Sequence, residues 1–189
     1  MKRIVLFASG SGSNVQRIVE YFSDNNDVEI LKVYCNKPDA FVLKRAENLK
    51  ISTLTFSRSD FYENKLVLSD LFELNPDLIV LAGFLWLIPS DIISKFPNKI
   101  INIHPALLPK YGGKGMHGIN VHKAVKDNNE KESGITIHFV NEKYDDGNII
   151  FQAKFNILPN DTAENIAEKI HQLEYEYFPV VIEEILNNR

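Results

Sequence analysis

Short apolar runs alternate with helix-spaced segments through the first 82 residues of this 189-residue chain. The runs Ile4–Ala8, Glu29–Cys35, Ile51–Phe56 and Leu78–Ala82 read as strands. Between them lie three segments with apolar side chains at helical spacing: Asn14 to about Phe22, Pro38–Asn48 and Asp60–Leu74. The second carries Pro at its start, where the missing N–H costs nothing. Repeated strand–helix–strand units can close only as a parallel sheet with right-handed crossovers and helices on both faces. Lys99–His104 predicts a fifth strand, and a polar, Gly-rich stretch over 105–118 follows it. A helix is expected near 119–127, then strands over Gly134–Val140 and Asn148–Asn156. The Asp-Gly turn within 141–147 predicts that these two strands form a hairpin. Asp161–Leu186 reads as a long final helix, with Asp161 as N-cap and Glu164 three residues on. The expected fold is one α/β domain over residues 1–189. Its sheet is mostly parallel and flanked by helices, with an antiparallel C-terminal hairpin.

Composition narrows the function. Asp and Glu number 25 against 21 Lys and Arg, for a net charge of −4. A protein devoted to nucleic acid usually shows a basic face, so none is expected as partner. Small anions remain possible through a few local cations. Cys35 is the single cysteine, which excludes a disulfide framework and a Cys-based zinc site and fits a reducing cytoplasm. The apolar start Ile4–Ala8 is too short for a signal peptide, and no run approaches a membrane span.

Ser9-Gly10-Ser11-Gly12-Ser13-Asn14 joins the first strand to the first helix. Backbone N–H groups at such a helix start can hold an anion, and glycine lets a phosphate approach the backbone. The dinucleotide fingerprint needs a third glycine at position 15, which is Val, and an acid after the second strand, where Asn36 and Lys37 stand. NAD is therefore disfavoured. The same loop also reads as a tight turn with a Ser or Asn helix cap.

Asn102 and His104 sit two apart at the end of the fifth strand, so both point to one face and Ile101 and Ile103 to the other. An Asn amide can donate to a developing oxyanion, and His can exchange a proton near neutral pH. That pair suits acyl transfer without a covalent intermediate. A hydrogen-bonded strand terminus before Pro105 would also use these residues. Tyr144-Asp145-Asp146-Gly147 is an ordinary turn unless the tip folds over that strand end, where a carboxylate could orient His104. His117 and His122 are five apart, about 140° round a helix, and do not form a metal pair. His138 reads as a structural strand residue, and no metal is expected.

Three segments in chain order carry a resemblance: Gly-Ser-Gly-Ser-Asn after the first strand, Ile-Asn-Ile-His-Pro-Ala-Leu-Leu-Pro at 101–109, and Asp-x-Gly-x-Ile-Ile at 145–150. Together they resemble the folate-dependent formyltransferases, and the branch acting on glycinamide ribonucleotide in purine synthesis most of all. The resemblance implies a Rossmann-like formyltransferase fold and formyl transfer from 10-formyltetrahydrofolate, as cosubstrate, to that amine. By motif match it assigns Asn102, His104 and Asp145 as catalytic. It places the ribonucleotide at Gly12, Ser13, Asn14 and Glu174. It places the folate at Phe84, Leu85, Trp86, Leu87 and Ile88, at Val140, Asn141, Glu142, Lys143 and Tyr144, and, by a looser match, at Arg58. Residues 1–82 would then be the nucleotide-phosphate half and 83–189 the folate and catalytic half of a cytoplasmic monomer or homodimer.

Several positions depart from the family pattern. Asp146 stands where many members carry Gly, Trp86 where Arg is common and His171 where some have Gln. The loop 110–118 looks longer than in many relatives. Rival readings are a sugar-nucleotide or methionyl-tRNA formyltransferase, a formyltetrahydrofolate hydrolase, or a nucleotide-binding module without catalysis. The resemblance implies extra domains in the tRNA and hydrolytic relatives, and none is expected in these 189 residues.

Overall fold

The computed structural model describes residues 1–188. Its strands are β1 (Lys2–Ala8), β2 (Val28–Cys35), β3 (Thr53–Thr55), β4 (Leu78–Leu81), β5 (Ile100–His104), β6 (Glu132–Phe139) and β7 (Ile149–Asn156). They form one sheet in the order β3-β2-β1-β4-β5-β6-β7. The first five run parallel, and β6 and β7 are antiparallel additions at one edge. The helices are α1 (Ser13–Tyr21), α2 (Phe41–Asn48), α3 (Arg58–Tyr62), α4 (Leu66–Leu74), α5 (Ser90–Lys95), α6 (Ile119–Asp127) and α7 (Ala163–Asn187). Among the described residues no helix is long and apolar enough to cross a membrane.

The central strands are apolar on both sides because both faces of the sheet are covered. Ile4, Leu6 and Ala8 of β1 join one core with α1 and α7, while Val5 and Phe7 join a second, aromatic core. The chain runs outward from β1 through β2 to β3, then returns to β4 on the other side of β1. That reversal opens a crevice at the carboxyl ends of β1 and β4, where α/β sheets bind ligands.

Four local expectations change. Helix α2 starts at Phe41, not Pro38, which falls in the preceding turn. The helix expected over Asp60–Leu74 is two. Ser57 and Asp60 form a capping box that opens α3, and left-handed Lys65 (φ 56°) separates it from α4. The break lets the Tyr62 hydroxyl donate to the Leu87 carbonyl at 2.8 Å. Helix α5 went unassigned, since six residues are too few to display a period. The cap of α7 is Thr162, boxed with Asn165, not Asp161 with Glu164. Asp161 instead accepts from the Leu158 N–H at 2.8 Å and pairs with Lys169.

The aromatic core explains how the segment after β4 is held. Phe7 stacks on Tyr34 with centroids 4.5 Å apart and meets Phe84 edge-on at 5.3 Å. Phe56, Phe61 and Tyr62 extend this cluster to Trp86. Each such pair adds roughly 0.5–1.5 kcal/mol beyond its burial, so 84–86 is anchored rather than loose.

Candidate active site

A cavity of about 820 Å³ occupies the crevice and reaches from Ser9–Asn14 to Trp86 and Tyr144. All five histidines of the chain line it.

At the β5 end, parity places Asn102 and His104 on the face opposite Ile101 and Ile103, as the period of two requires. In the antiparallel register His138 lies directly across from Asn102, and Thr136 across from His104. Residues directly opposite share a face, so His138 enters the site beside Asn102. A bulge between Ile137 and His138 re-aims the strand there. Thr136 also pins the chain leaving β5: its hydroxyl donates to the Ala106 carbonyl at 2.7 Å and accepts from Leu108 N–H at 3.0 Å.

The 141–147 tip folds over this strand end. Asp145 Oδ1 accepts from Asn102 Nδ2 at 3.3 Å, its Oδ2 lies 3.5 Å from His104 Nδ1, and the Gly113 N–H donates to Oδ2 at 2.9 Å. Asp146 instead points outward and meets Lys143 and Asn141. Of the two adjacent acids, Asp145 is therefore the one inside. A side chain at Gly147 would place its Cβ 1.7 Å from the Phe139 carbonyl oxygen, so the tip can close only with glycine there.

Hydrogen positions follow from the partners. Carbonyls only accept, so His104 Nε2, 2.7 Å from the Tyr111 oxygen, carries hydrogen. By the same reasoning His138 Nδ1 donates to the Phe139 carbonyl at 2.8 Å, which leaves Nε2 to accept from Asn102 Nδ2 at 3.2 Å. Burial holds His104 below the ordinary imidazole value, although the Asp145 charge pulls it up. For Asp145 burial alone would raise the carboxyl. Its neighbours His138 and His104 and the Gly113 N–H outweigh burial and keep it low. The resting pair is a neutral imidazole beside a carboxylate, with the Nδ1 lone pair aimed at Oδ2.

At the β1 end the site is backbone. Gly12 caps α1 in the left-handed region (φ 73°), and no side chain caps that helix. The reading of a Ser or Asn cap therefore fails. A Cβ at Gly12 would lie 2.4 Å from Val42 Cγ2, so close packing of α2 against the loop demands glycine. The Val42 N–H donates to the Gly10 carbonyl at 3.1 Å and Arg45 Nε to the Ser11 carbonyl at 2.8 Å. Ser13, Asn14 and Lys37 line the cavity here. Asn14 Nδ2 donates to buried Glu174 of α7 at 3.0 Å, which ties the loop to the far end of the chain.

Of the residues expected at the folate, Phe84, Leu85, Trp86, Leu87, Ile88, Val140, Lys143 and Tyr144 line the cavity, whereas Asn141, Glu142 and Arg58 do not. The Arg58 guanidinium lies over the rings of Tyr62 and Trp86, at 4.8 and 5.8 Å. Sequence reasoning missed Lys37, His122, His138 and His171. Only His138 had a usable signal, its parity with Asn102 once the β5–β6 register is known.

A family model described as formyl transferase matches residues 2–182. The chain is 40% identical to the chloroplastic phosphoribosylglycinamide formyltransferase of Arabidopsis thaliana, over 100% of this chain and 66% of that protein. It is 39% identical to phosphoribosylglycinamide formyltransferase of Bacillus subtilis strain 168, over 100% of this chain and 98% of the other. Among solved structures, phosphoribosylglycinamide formyltransferase from Anaplasma phagocytophilum matches with a TM-score of 0.89 at 32% identity, over 99% of this chain and 88% of that one.

Proposed function

Because this chain belongs to the formyl transferase family, we propose that it moves the formyl group of 10-formyltetrahydrofolate onto the amine of glycinamide ribonucleotide. The products are formylglycinamide ribonucleotide and tetrahydrofolate, in a step of purine nucleotide synthesis. The observation that carries this reading is the convergence of Asn102, His104 and Asp145 in one cavity whose other end is the Gly12 loop.

The chemistry follows from the atoms. The amine attacks the formyl carbon, and a C–N bond forms as the carbonyl oxygen takes up negative charge. Asn102 Nδ2 holds its two acceptors at 3.2 and 3.3 Å, longer than the usual N–H···O distance. Trading the neutral His138 nitrogen for a charged oxygen strengthens the bond, as a preorganised donor should. The attacking nitrogen must then shed a proton. His104 Nδ1 is its acceptor, because a proton between that nitrogen and Asp145 Oδ2 relieves a lone pair facing a carboxylate. The imidazolium so formed stabilises the oxyanion and returns the proton to N10 as the old C–N bond breaks. Asp145 keeps the imidazolium oriented throughout.

In this reading residues 1–82 supply the phosphate end of a single domain, 1–189, and 83–189 supply the folate and catalytic end. Glu174 is the exception, since it reaches back to Asn14. Gly12, Ser13 and Asn14 offer first-turn amides to the phosphate, with Lys37 offsetting its charge. The aromatic-backed segment Phe84–Ile88, with Val140, Lys143 and Tyr144, receives the folate. Asn141, Glu142 and Arg58 support that side from outside the cavity. A spectrophotometric assay with a 10-formylfolate donor tests the reading by comparing glycinamide ribonucleotide, methionyl-tRNA, an amino-sugar nucleotide and water as acceptors. Transfer fastest to any of the last three would overturn it.

A further inference from the structure

The chain that leaves β5 returns to the catalytic pair through its backbone, and one residue of that return is strained. Tyr111 has φ 59°, in the left-handed region, which costs a non-glycine residue energy and persists only where its surroundings enforce it. In that conformation its carbonyl accepts from His104 Nε2 at 2.7 Å. Two residues on, the Gly113 N–H donates to Asp145 Oδ2 at 2.9 Å. Between them Gly112 passes so near that a Cβ there would lie 3.1 Å from Asp145 Cβ. The Tyr111 side chain turns the other way. Its ring packs against the core and its hydroxyl donates to Glu130 Oε1 at 2.9 Å. Lys110 Nζ donates to the same oxygen at 2.8 Å. Glu130 is itself fixed: it follows left-handed Asn129 (φ 53°), and its N–H donates to the carbonyl of buried Val125 of α6 at 3.3 Å. Neither Tyr111 nor Glu130 lines the cavity.

We propose that Tyr111 and Glu130 are positioning residues for the transfer: their hydroxyl–carboxylate bond, outside the cavity, holds the strained backbone that keeps hydrogen on His104 Nε2, leaves Nδ1 bare for the incoming proton and keeps the Gly113 N–H on Asp145. The inference rests on the proposed function and deepens it by adding an outer support to the catalytic pair. A carbonyl facing Nε2 binds more strongly once the ring is charged, so it stabilises the imidazolium formed during transfer. The Gly113 N–H likewise favours the charged form of Asp145, which faces that imidazolium. Freeing the Tyr111 hydroxyl lets its φ relax and turns the carbonyl away from His104. The Lys110–Glu130 pair contributes little, since its side chains are 68% and 26% exposed. The groups facing His104 are Asp145, His138 of β6, His122 of α6 and Glu174 of α7. Burial and His138 lower His104, against Asp145, the Tyr111 carbonyl and Glu174. Losing the carbonyl therefore moves His104 further down.

The test is kcat in the wild type, Tyr111→Phe, Glu130→Ala, Glu130→Gln and the double variant Tyr111→Phe/Glu130→Ala. Tyr111→Phe and Glu130→Ala should each lower kcat about tenfold, the lower range for a hydrogen bond to a charged group. Both KM values should stay within about twofold, since neither residue lines the cavity. Glu130→Gln, whose amide oxygen still accepts the hydroxyl, should keep kcat within about threefold of wild type. The double variant should be no slower than about tenfold, because both changes remove the same bond. Lys110→Met should stay within about twofold. A second readout needs no substrate: the His104 titration followed by NMR should move to lower pH in Tyr111→Phe and Glu130→Ala and stay in place in Lys110→Met. The inference is overturned if either single variant keeps kcat within twofold, if the losses multiply in the double variant, or if Glu130→Gln is as slow as Glu130→Ala. It is also overturned if Lys110→Met costs as much as Tyr111→Phe, or if the His104 titration stays put in both. A lower urea midpoint with kcat per folded molecule unchanged would make the bond structural only. If the wild type formylates another acceptor, the proposed function fails, and the same kcat ratios with that acceptor still decide this inference.

Discussion

The two ends of the cavity are built on opposite principles. The β5 end is made of side chains: Asn102, His104, His138 and Asp145, from three separate elements, meet within hydrogen-bond or ion-pair reach. The β1 end is made of backbone, with Gly12 wedged against Val42 and α1 left without a side-chain cap. Their titrations differ as well. Burial depresses His104 at the first end, and a buried carboxylate elevates His171 at the second. Bond-making needs groups that change protonation and charge. Holding a phosphate needs a fixed shape of N–H groups, which no side chain need supply.

Variants can break this contrast. His104→Ala should lower kcat by about 10³-fold, in the range of a lost general acid–base group. Ribonucleotide binding, measured by calorimetry, should change by less than about threefold, no more than the weak end of one lost hydrogen bond. Equal collapse of both would make the β5 end structural. Asp145→Asn should cost about 10²-fold in kcat, since it keeps the shape and removes the charge that orients the imidazolium. Asp146→Asn, outside the cavity, should stay within about twofold of wild type, as an exposed change does. A larger loss at Asp146 would reverse the assignment of the acid.

Gly12→Ala should act through shape. The new Cβ meets Val42 at 2.4 Å in a left-handed conformation, so thermal unfolding should show a loss of about 2 kcal/mol. The ribonucleotide KM should rise more than kcat falls. An effect on kcat alone would mean that the loop serves catalysis.

The smallest effect is on stability with pH. His104 and His122 have depressed folded values, so their contribution is present above the unfolded value of about 6.5 and is lost as pH falls from there. His171 is raised, so its contribution is present below about 6.5 and is lost as pH rises through its folded value. Urea midpoints should therefore decline from pH 7 to 5.5, and His122→Asn should make that decline shallower. Each proton contributes a slope of at most ~1.4 kcal/mol per pH unit. An unchanged slope would show that His122 titrates as it does in the unfolded chain.

Much of the architecture was readable along the chain because a strand or helix buries one face or two and its side chains repeat accordingly. The parallel half, the hairpin and the shared face of Asn102 and His104 all follow from such periods. Places where local signals compete were misread. The apolar spacing across 60–74 fits one helix as well as two, and only the Ser57 capping box and left-handed Lys65 divide it. At 161–165, Asp161 is a good cap by type, yet Lys169 and the Leu158 N–H engage it and Thr162 takes the role.

The site divides along the same line. Asn102, His104, Asp145 and the Gly12 loop are short local patterns, each legible in a few consecutive residues. Which acid turns inward, that His138 stands beside Asn102, and that Glu174 receives both Asn14 and His171 depend on pairing register and helix docking across up to 160 positions of sequence. Local periodicity carries no information about such distances. The packing of β6 on β5 and of α7 on α1 sets them, since one residue of register would turn His138 to the opposite face.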